Sequence, residues 1–250
     1  MLLYKIYLFL FPNDLIKLIA KILKKKKHNK LNILDIGCYI GNFSKVLNDE
    51  LISLKCKKLF HLIDPNFTII DKIKLIDFNF KFKFYNLAIH NNNKKKTFYL
   101  NNFFQSSGSS LNKTTVNDSL WNFSRKIFSL NLFKKNYSKL IVQCQTLDNF
   151  AKENNINKID ILKFDTEGNE LNILKGAKKT LKNTSIIYFE ILSKKSFFSK
   201  KFNKVHNILL KNNFFLYKKK KIVTVSFLSN LIAFDLIYIK NGDYSSIIDY

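Results

Sequence analysis

Cysteine is rare in this sequence: Cys38, Cys56 and Cys144 are the only three in 250 residues. An odd number with no Cys-x-x-Cys spacing and no nearby histidine cluster argues against a disulfide framework or a structural zinc site, and it suits a reducing cytosol. No metal ligands are expected. Long apolar runs are missing too. Residues 2–11 are apolar apart from Lys5, but about ten residues fall short of the roughly twenty that cross a bilayer. No basic stretch precedes that run and no small-residue cleavage site follows it, which argues against a signal peptide. No internal repeat is visible.

Acidic residues are outnumbered, 18 against 43 lysines and arginines, for a formal net charge of +25. Taken alone, that balance favours a polyanionic partner such as nucleic acid or an anionic membrane surface. Glycine, proline, arginine and alanine are also few, while lysine, asparagine, isoleucine and phenylalanine crowd the chain, the usage expected of an AT-rich coding sequence. The lysines are spread out, with short runs at 24–27, 94–96 and 218–221. A nucleic-acid groove more often mixes arginine with aromatics on one element. Composition therefore accounts better for the charge, and nucleic acid is not the expected partner.

What is present is enough for one α/β domain: 250 residues, 46% of them hydrophobic. After the break at Pro12-Asn13-Asp14, Leu15, Ile16, Leu18, Ile19, Ile22 and Leu23 recur at helical spacing ahead of four lysines. Residues 1–30 thus read as an amphipathic helical extension and 31–250 as the domain proper. Such a helix commonly packs on its own domain's core; the sharper alternative is a peripheral membrane contact near anionic headgroups.

From residue 31 onward, apolar runs of strand length alternate with segments of helical period, the signature of βαβ units on a parallel sheet. Strands are expected at 31–36, 58–64, 80–87, 97–100, 140–145, 159–165, 185–192, 214–218 and 231–239. Helices are expected at 42–54, 67–76, 169–181 and about 201–211. A Ser/Gly loop at 105–110 and a polar stretch from 112 to 137 without clear period interrupt the rhythm. This variable insertion spans about 101–138.

Three segments carry chemistry. In the first, a buried strand ending at Asp35 enters the turn Gly37-Cys38-Tyr39-Ile40-Gly41 and then a helix containing Ser44. Gly37 and Gly41 let the backbone approach a ligand closely, and the exposed amides of the turn suit a polar group. The glycine spacing departs from the dinucleotide fingerprint, and no Gly-Lys-Ser/Thr follows, so a P-loop is excluded. Asp35 beside the first glycine would repel a pyrophosphate and welcome a cation. S-adenosylmethionine, with its ammonium and sulfonium, fits that sign. In the second segment, Asp64 at the end of the second strand, before Pro65 and Asn66, stands where a carboxylate can accept both hydroxyls of a ribose. In the third, Lys163, Asp165 and Glu167 are delivered to the carboxyl edge of a strand, ahead of Gly168 and a helix opened by Glu170. Helix capping explains Glu170, but three ionisable groups within five positions exceed what capping requires.

The ordered set of motifs resembles the FkbM-type methyltransferases. Their pattern of a D-x-G-x-x-x-G-x-x-S turn, an E-P-N/D-P step, an N-x-A-[LIV] strand end, an S-S-L loop, a T-L-D step and a D-x-[LI]-K-[IF]-D-[VT]-E-G-x-E segment is matched in order. The matches are Asp35 to Ser44, Asp64-Pro65-Asn66, Asn86-Leu87-Ala88-Ile89, Ser109-Ser110-Leu111, Thr146-Leu147-Asp148 and Asp160 to Gly176. Tyr39 replaces the usual Asn and Asp64 the usual Glu, shortening the ribose acceptor.

The resemblance implies a Rossmann-like class I methyltransferase fold. That is a central, mostly parallel seven-stranded sheet with helices on both faces and an antiparallel last strand. It implies S-adenosylmethionine as cofactor, held by Asp35, Gly37, Tyr39, Gly41, Ser44, Asp64, Pro65, Asn66, Ala88 and Ile89. It implies methyl transfer to an oxygen of a small-molecule or glycan acceptor. Asp165 and Glu167 are then candidates for base or substrate clamp, with Lys163 tuning their charge. His90 reads as a surface side chain. A cytoplasmic location is expected, with contact at the inner membrane face through the N-terminal helix as a secondary reading. The competing functions are a basic nucleic-acid or membrane-surface binder without enzymatic activity, and an RNA methyltransferase. Against the latter, no Asn/Asp-Pro-Pro-Tyr/Phe motif and no appended RNA-binding module is present.

Overall fold

The computed structural model describes residues 14–75, 78–102, 108–113, 135, 137–222 and 231–244. The apolar run at 2–11, Ile76, the first part of the Ser/Gly loop and most of the interval 112–137 lie outside these residues. In chain order the elements are α1 (Asp14–Lys24), β1 (Lys30–Ile36), α2 (Asn42–Glu50), β2 (Lys57–Ile63), α3 (Ile70–Leu75), β3 (Phe82–Tyr85), β4 (Ala88–Ile89) and β5 (Lys96–Asn101). They continue with β6 (Tyr137–Val142), β7 (Cys144–Gln145), α4 (Leu147–Glu153), β8 (Ile159–Phe164), α5 (Glu170–Lys175), β9 (Thr184–Lys194), α6 (Phe198–Lys211), β10 (Phe214–Ile222) and β11 (Leu231–Lys240).

Seven strands form one sheet in the order β10-β11-β9-β8-β1-β2-β3. The pairs β3–β2, β2–β1, β1–β8 and β8–β9 are parallel, and β11 runs antiparallel to both of its neighbours. This is the expected sheet, with the last strand reversed. All six residues of β8 are buried, as a strand covered on both faces requires. β9 continues past the end of β8, through Glu190 to Lys194, and β11 stays paired with it along that stretch.

Two cores sandwich the sheet, because alternate residues of each strand point to opposite faces. On one face Leu31, Ile33, Phe60, Leu62, Ile161, Ile186 and Ile237 meet α1 and α2. On the other, Leu34, Ile36, Ile63, Leu162, Phe164, Ile187, Phe189 and Leu236 meet α4, α5 and α6. The apolar stripe of α1 is spent inside the molecule: Leu15, Ile16, Ile19, Ala20, Ile22 and Leu23 are buried in the first core. Each such Leu or Ile contributes about 1.5–3 kcal/mol. No helix among the described residues is long and apolar enough to cross a membrane.

The expected helix at 169–181 stops early, at Lys175. The Asp148 carboxylate accepts the backbone N–H of Lys179 and of Thr180 and the Thr180 hydroxyl, and Thr180–Asn183 forms a 3-10 turn instead. Gly176 lies against the His90 carbonyl, which an added Cβ would approach to 2.3 Å. The expected strand 140–145 is likewise two: β6 pairs with β5, and β7 pairs with β4. Smaller differences are α2 ending at Glu50 and α6 beginning at Phe198.

Candidate active site

The turn after β1 folds over the end of β2: Gly37 and Cys38 donate their N–H groups to the Ile63 carbonyl at 2.8 and 3.3 Å. Three of its residues are left-handed, Gly37 (φ +69), Tyr39 (φ 49) and Gly41 (φ +79). Gly37 is needed for contact with protein as much as for any ligand, since a Cβ there would lie 2.0 Å from the Asp165 carbonyl oxygen. At Gly41 a Cβ would meet the Phe78 ring at 2.9 Å. A non-glycine residue held in this conformation costs about 1–2 kcal/mol, and Asn tolerates it better than Tyr. Part of that cost at Tyr39 is offset by its N–H, which donates to Asp64 Oδ2 at 3.0 Å.

Asp64 is the junction of the cofactor side. Its other oxygen accepts the Asn66 N–H at 2.9 Å, and Asn86 donates to the Asp64 carbonyl. Burial pushes its carboxyl up to about 6, although the Asn66 and Tyr39 amides and Lys163 pull the other way. Asn66 is buried and caps the next turn by accepting from Thr68; Pro65 beside it is half-buried. Ala88 and Ile89 are buried in β4, and Asn169 Nδ2 donates to the Ile89 carbonyl at 2.9 Å, tying β4 to the loop after β8.

Asp35 departs from expectation. Its side chain is fully buried, accepts the Ser44 hydroxyl at 2.8 Å and forms an ion pair with Lys163 at 2.8 Å. β1 and β8 pair with Asp35 beside Lys163, so the two side chains share a face and meet. Asp35 therefore supports the turn from beneath and spends its charge on Lys163. Lys163 does more than pull on the Asp165 carboxyl as expected, since it also donates to the Gly37 carbonyl at 3.1 Å and braces the turn. Burial pulls its pKa down, but Asp35 and then Asp165 more than offset this and hold it protonated, above the ordinary lysine value.

The third segment lines the carboxyl edge. Asp165 extends the β1–β8 ladder, donating its N–H to the Ile36 carbonyl at 3.0 Å. Its side chain is reached by solvent, yet lost hydration, with Asp35 and Glu170 nearby, raises its carboxyl against the pull of Lys163. Glu167 sits in a left-handed turn (φ 52) before Gly168. Glu170, expected at a helix start, is fully buried: it accepts the Gly168 N–H at 2.7 Å and pairs with Lys201 at 2.5 Å. His90 is buried rather than on the surface, with Nδ1 unpaired among the described residues.

Three residues of this edge were not singled out from the sequence. Glu190 stands one step beyond the Phe164–Phe189 pair of β8 and β9, beside Asp165, and Asp235 of β11 pairs with Glu190. Tyr188 donates to Asp235 at 3.2 Å and packs its ring 5.6 Å from Phe43. Burial, then Asp165, Glu167 and Asp235, raise the Glu190 carboxyl well above its usual value; burial and Asp165 push Asp235 up to about 6. The available signal was a single carboxylate in the apolar middle of each of two strands, where a charge is costly without a purpose. Among the described residues no acidic, His or Cys group is arranged to hold a metal ion.

A family model described as the methyltransferase FkbM domain matches residues 35–216. The chain belongs to that family. S-adenosylmethionine is accordingly the methyl donor of this FkbM-domain protein, and its activity is that of an S-adenosylmethionine-dependent methyltransferase. No curated protein matches it. Among solved structures it is similar to methyltransferase FkbM from Methylobacillus flagellatus KT, at 12% identity and TM-score 0.45, over 83% of this chain and 44% of that one. It is also similar to the plantazolicin methyltransferase BpumL in complex with SAH, at 11% identity and TM-score 0.45, over 90% of this chain and 82% of that one.

The residues present fit the donor. Asp64 keeps lone pairs beyond the two amides it accepts and is 7% exposed.

Proposed function

We propose that this FkbM-domain protein methylates a hydroxyl oxygen of a sugar or of another small-molecule or glycan acceptor. S-adenosylmethionine supplies a methyl group on a positively charged sulfur, so the protein must align the acceptor, exclude water and take up one proton. Asp64 and Asn66 would hold the donor's polar groups, with Pro65, Ala88 and Ile89 as apolar surface. Asp165 would take the acceptor proton, and Glu167 would orient the acceptor.

The observation that supports this reading best is Asp165 itself: accessible at the sheet's carboxyl edge, with Glu190 close enough to feel its charge, and with its carboxyl raised by lost hydration. A stronger base than a free carboxylate suits removal of a hydroxyl proton. Lys163, already paired with Asp35, leaves the row of carboxylates only partly neutralised.

The test has two arms. Calorimetric titration with S-adenosylhomocysteine should show binding that Asp64→Ala weakens at least tenfold. Transfer of labelled methyl from S-adenosylmethionine is then screened against a panel of monosaccharides, amino sugars, hydroxylated small molecules and RNA. Label in an alkali-stable ether on a saccharide or small molecule, lost in Asp165→Asn, is the expected result. Label found only on RNA, or full transfer by Asp165→Asn, would overturn the reading.

A further inference from the structure

The Ser109-Ser110-Leu111 motif has no part in the chemistry above, yet each of its side chains is used. Ser109 Oγ accepts the Asn101 N–H at 2.9 Å, at the end of β5. Leu111 packs with Ala88, Phe98, Val142 and Cys144 in a small separate core. Ser110, 1% exposed, reaches across to the loop after β8: its hydroxyl donates to the Glu167 carbonyl at 2.8 Å, with the Thr166 carbonyl at 3.3 Å.

The direction of that hydroxyl is fixed. Its oxygen accepts the Asn112 N–H at 2.9 Å, which turns the proton toward the loop. The backbone of Ser110 exchanges both hydrogen bonds with Tyr99 of β5, at 2.8 and 3.1 Å. The donor is therefore mounted on β5, itself paired with β6, rather than on a free tip. What it grips is a strained segment: Glu167 at φ 52 and Gly168 at φ 105. Left-handed backbone at a glutamate costs about 1–2 kcal/mol, and such a conformation persists only when its surroundings over-determine it. Ser110 holds the loop from one side. Glu170, through the Gly168 N–H and its ion pair with Lys201, holds it from the other.

We propose that Ser110 is a positioning residue for methyl transfer: its hydroxyl locks Glu167 in the left-handed turn and so sets where Glu167 and Asp165 stand toward the acceptor. This rests on the reading that those two carboxylates face the acceptor. The cofactor turn is braced separately, by Lys163 and Asp35. Loss of the Ser110 hydroxyl therefore loosens the acceptor side and spares donor binding.

Full-length Ser110→Ala and Ser110→Cys, the second keeping the volume without a strong donor, are compared with the parent chain. Amide hydrogen exchange in a peptide covering 163–170 should quicken at least tenfold at 166–168, with exchange in β1 and β2 unchanged. Affinity for S-adenosylhomocysteine should stay within twofold. Methyl transfer to the saccharide panel should fall at least tenfold at unchanged KM for S-adenosylmethionine. Unchanged exchange at 166–168 would overturn the proposal. So would a loss of S-adenosylhomocysteine affinity as large as the loss of rate, because the hydroxyl would then act through the cofactor turn. Full turnover in both Asp165→Asn and Glu167→Gln would instead remove the assigned carboxylate roles, and the exchange result would still decide whether Ser110 holds the loop.

Discussion

Asp35 and Lys163 lie side by side on adjacent parallel strands, 2.8 Å apart and both buried beneath the glycine turn. Their meeting is fixed by strand register, and the lysine passes that support on to the Gly37 carbonyl. A carboxylate left buried without its partner is costly. Lys163→Met is expected to lose about 3–5 kcal/mol in urea unfolding. The Asp35→Asn/Lys163→Met double variant should lose clearly less. Equal losses would show that packing, not charge, is what the pair provides.

Gly37 and Gly242 make a matched experiment on left-handed glycines. Both have positive φ, but a Cβ at Gly37 would strike the Asp165 carbonyl, whereas at Gly242 nothing lies within 4 Å. Gly242→Ala should cost about 1 kcal/mol of backbone strain and leave S-adenosylhomocysteine binding alone. Gly37→Ala should force the ends of β1 and β8 apart and abolish detectable binding by calorimetry. Similar behaviour of the two variants would mean that the close approach of turn and loop is unimportant.

Asp235 predicts a pH dependence with a definite sign. Its carboxyl is raised from 3.8 to about 6, first by burial and then by Asp165. Between those values the folded chain holds the proton more tightly than the unfolded one, so the contribution of Asp235 to stability grows as pH falls from 6 to 4. Above pH 6 the ionised side chain is a net cost, on the order of 1–2 kcal/mol allowing for its partial exposure. Asp235→Asn, which can still accept from Tyr188, should therefore melt higher than the parent at pH 7.5, with the gap closing toward pH 4. A gap independent of pH would refute the assignment.

Glu190 is expected to matter for rate and not for donor binding. Asp165, the proposed base, follows the end of β8 close by, and its charge helps raise the Glu190 carboxyl. Glu190→Gln should lower methyl transfer on the order of 10–100-fold, shift the acid limb of the rate profile to lower pH, and leave S-adenosylhomocysteine affinity unchanged. An unshifted profile would separate Glu190 from the proton step.

The strands were legible because each is an apolar run that the sheet buries, and the reversed β11 followed from the family pattern. Asp64 and Asp165 were legible as carboxylates placed by strand ends. What the sequence hid was contact between strands. Asp35 precedes Gly37 by two residues, and nothing nearby in the chain shows that Lys163 will neutralise it. Glu190 and Asp235 were passed over for the same reason, each being the one acidic residue of a mostly apolar strand until register sets them together. The broken helix at Gly176 was hidden by Asp148, a distant side chain that captures the amides a helix would have used.

The overrun of β9 beyond β8 gives the site a raised flank. From Glu190 to Lys194 the strand projects about 16 Å of extended chain, stiffened by its ladder to β11. That ladder carries Glu190 and Asp235 side by side beyond the last β8–β9 pair, so these two carboxylates are mounted on paired strand and not on a loop.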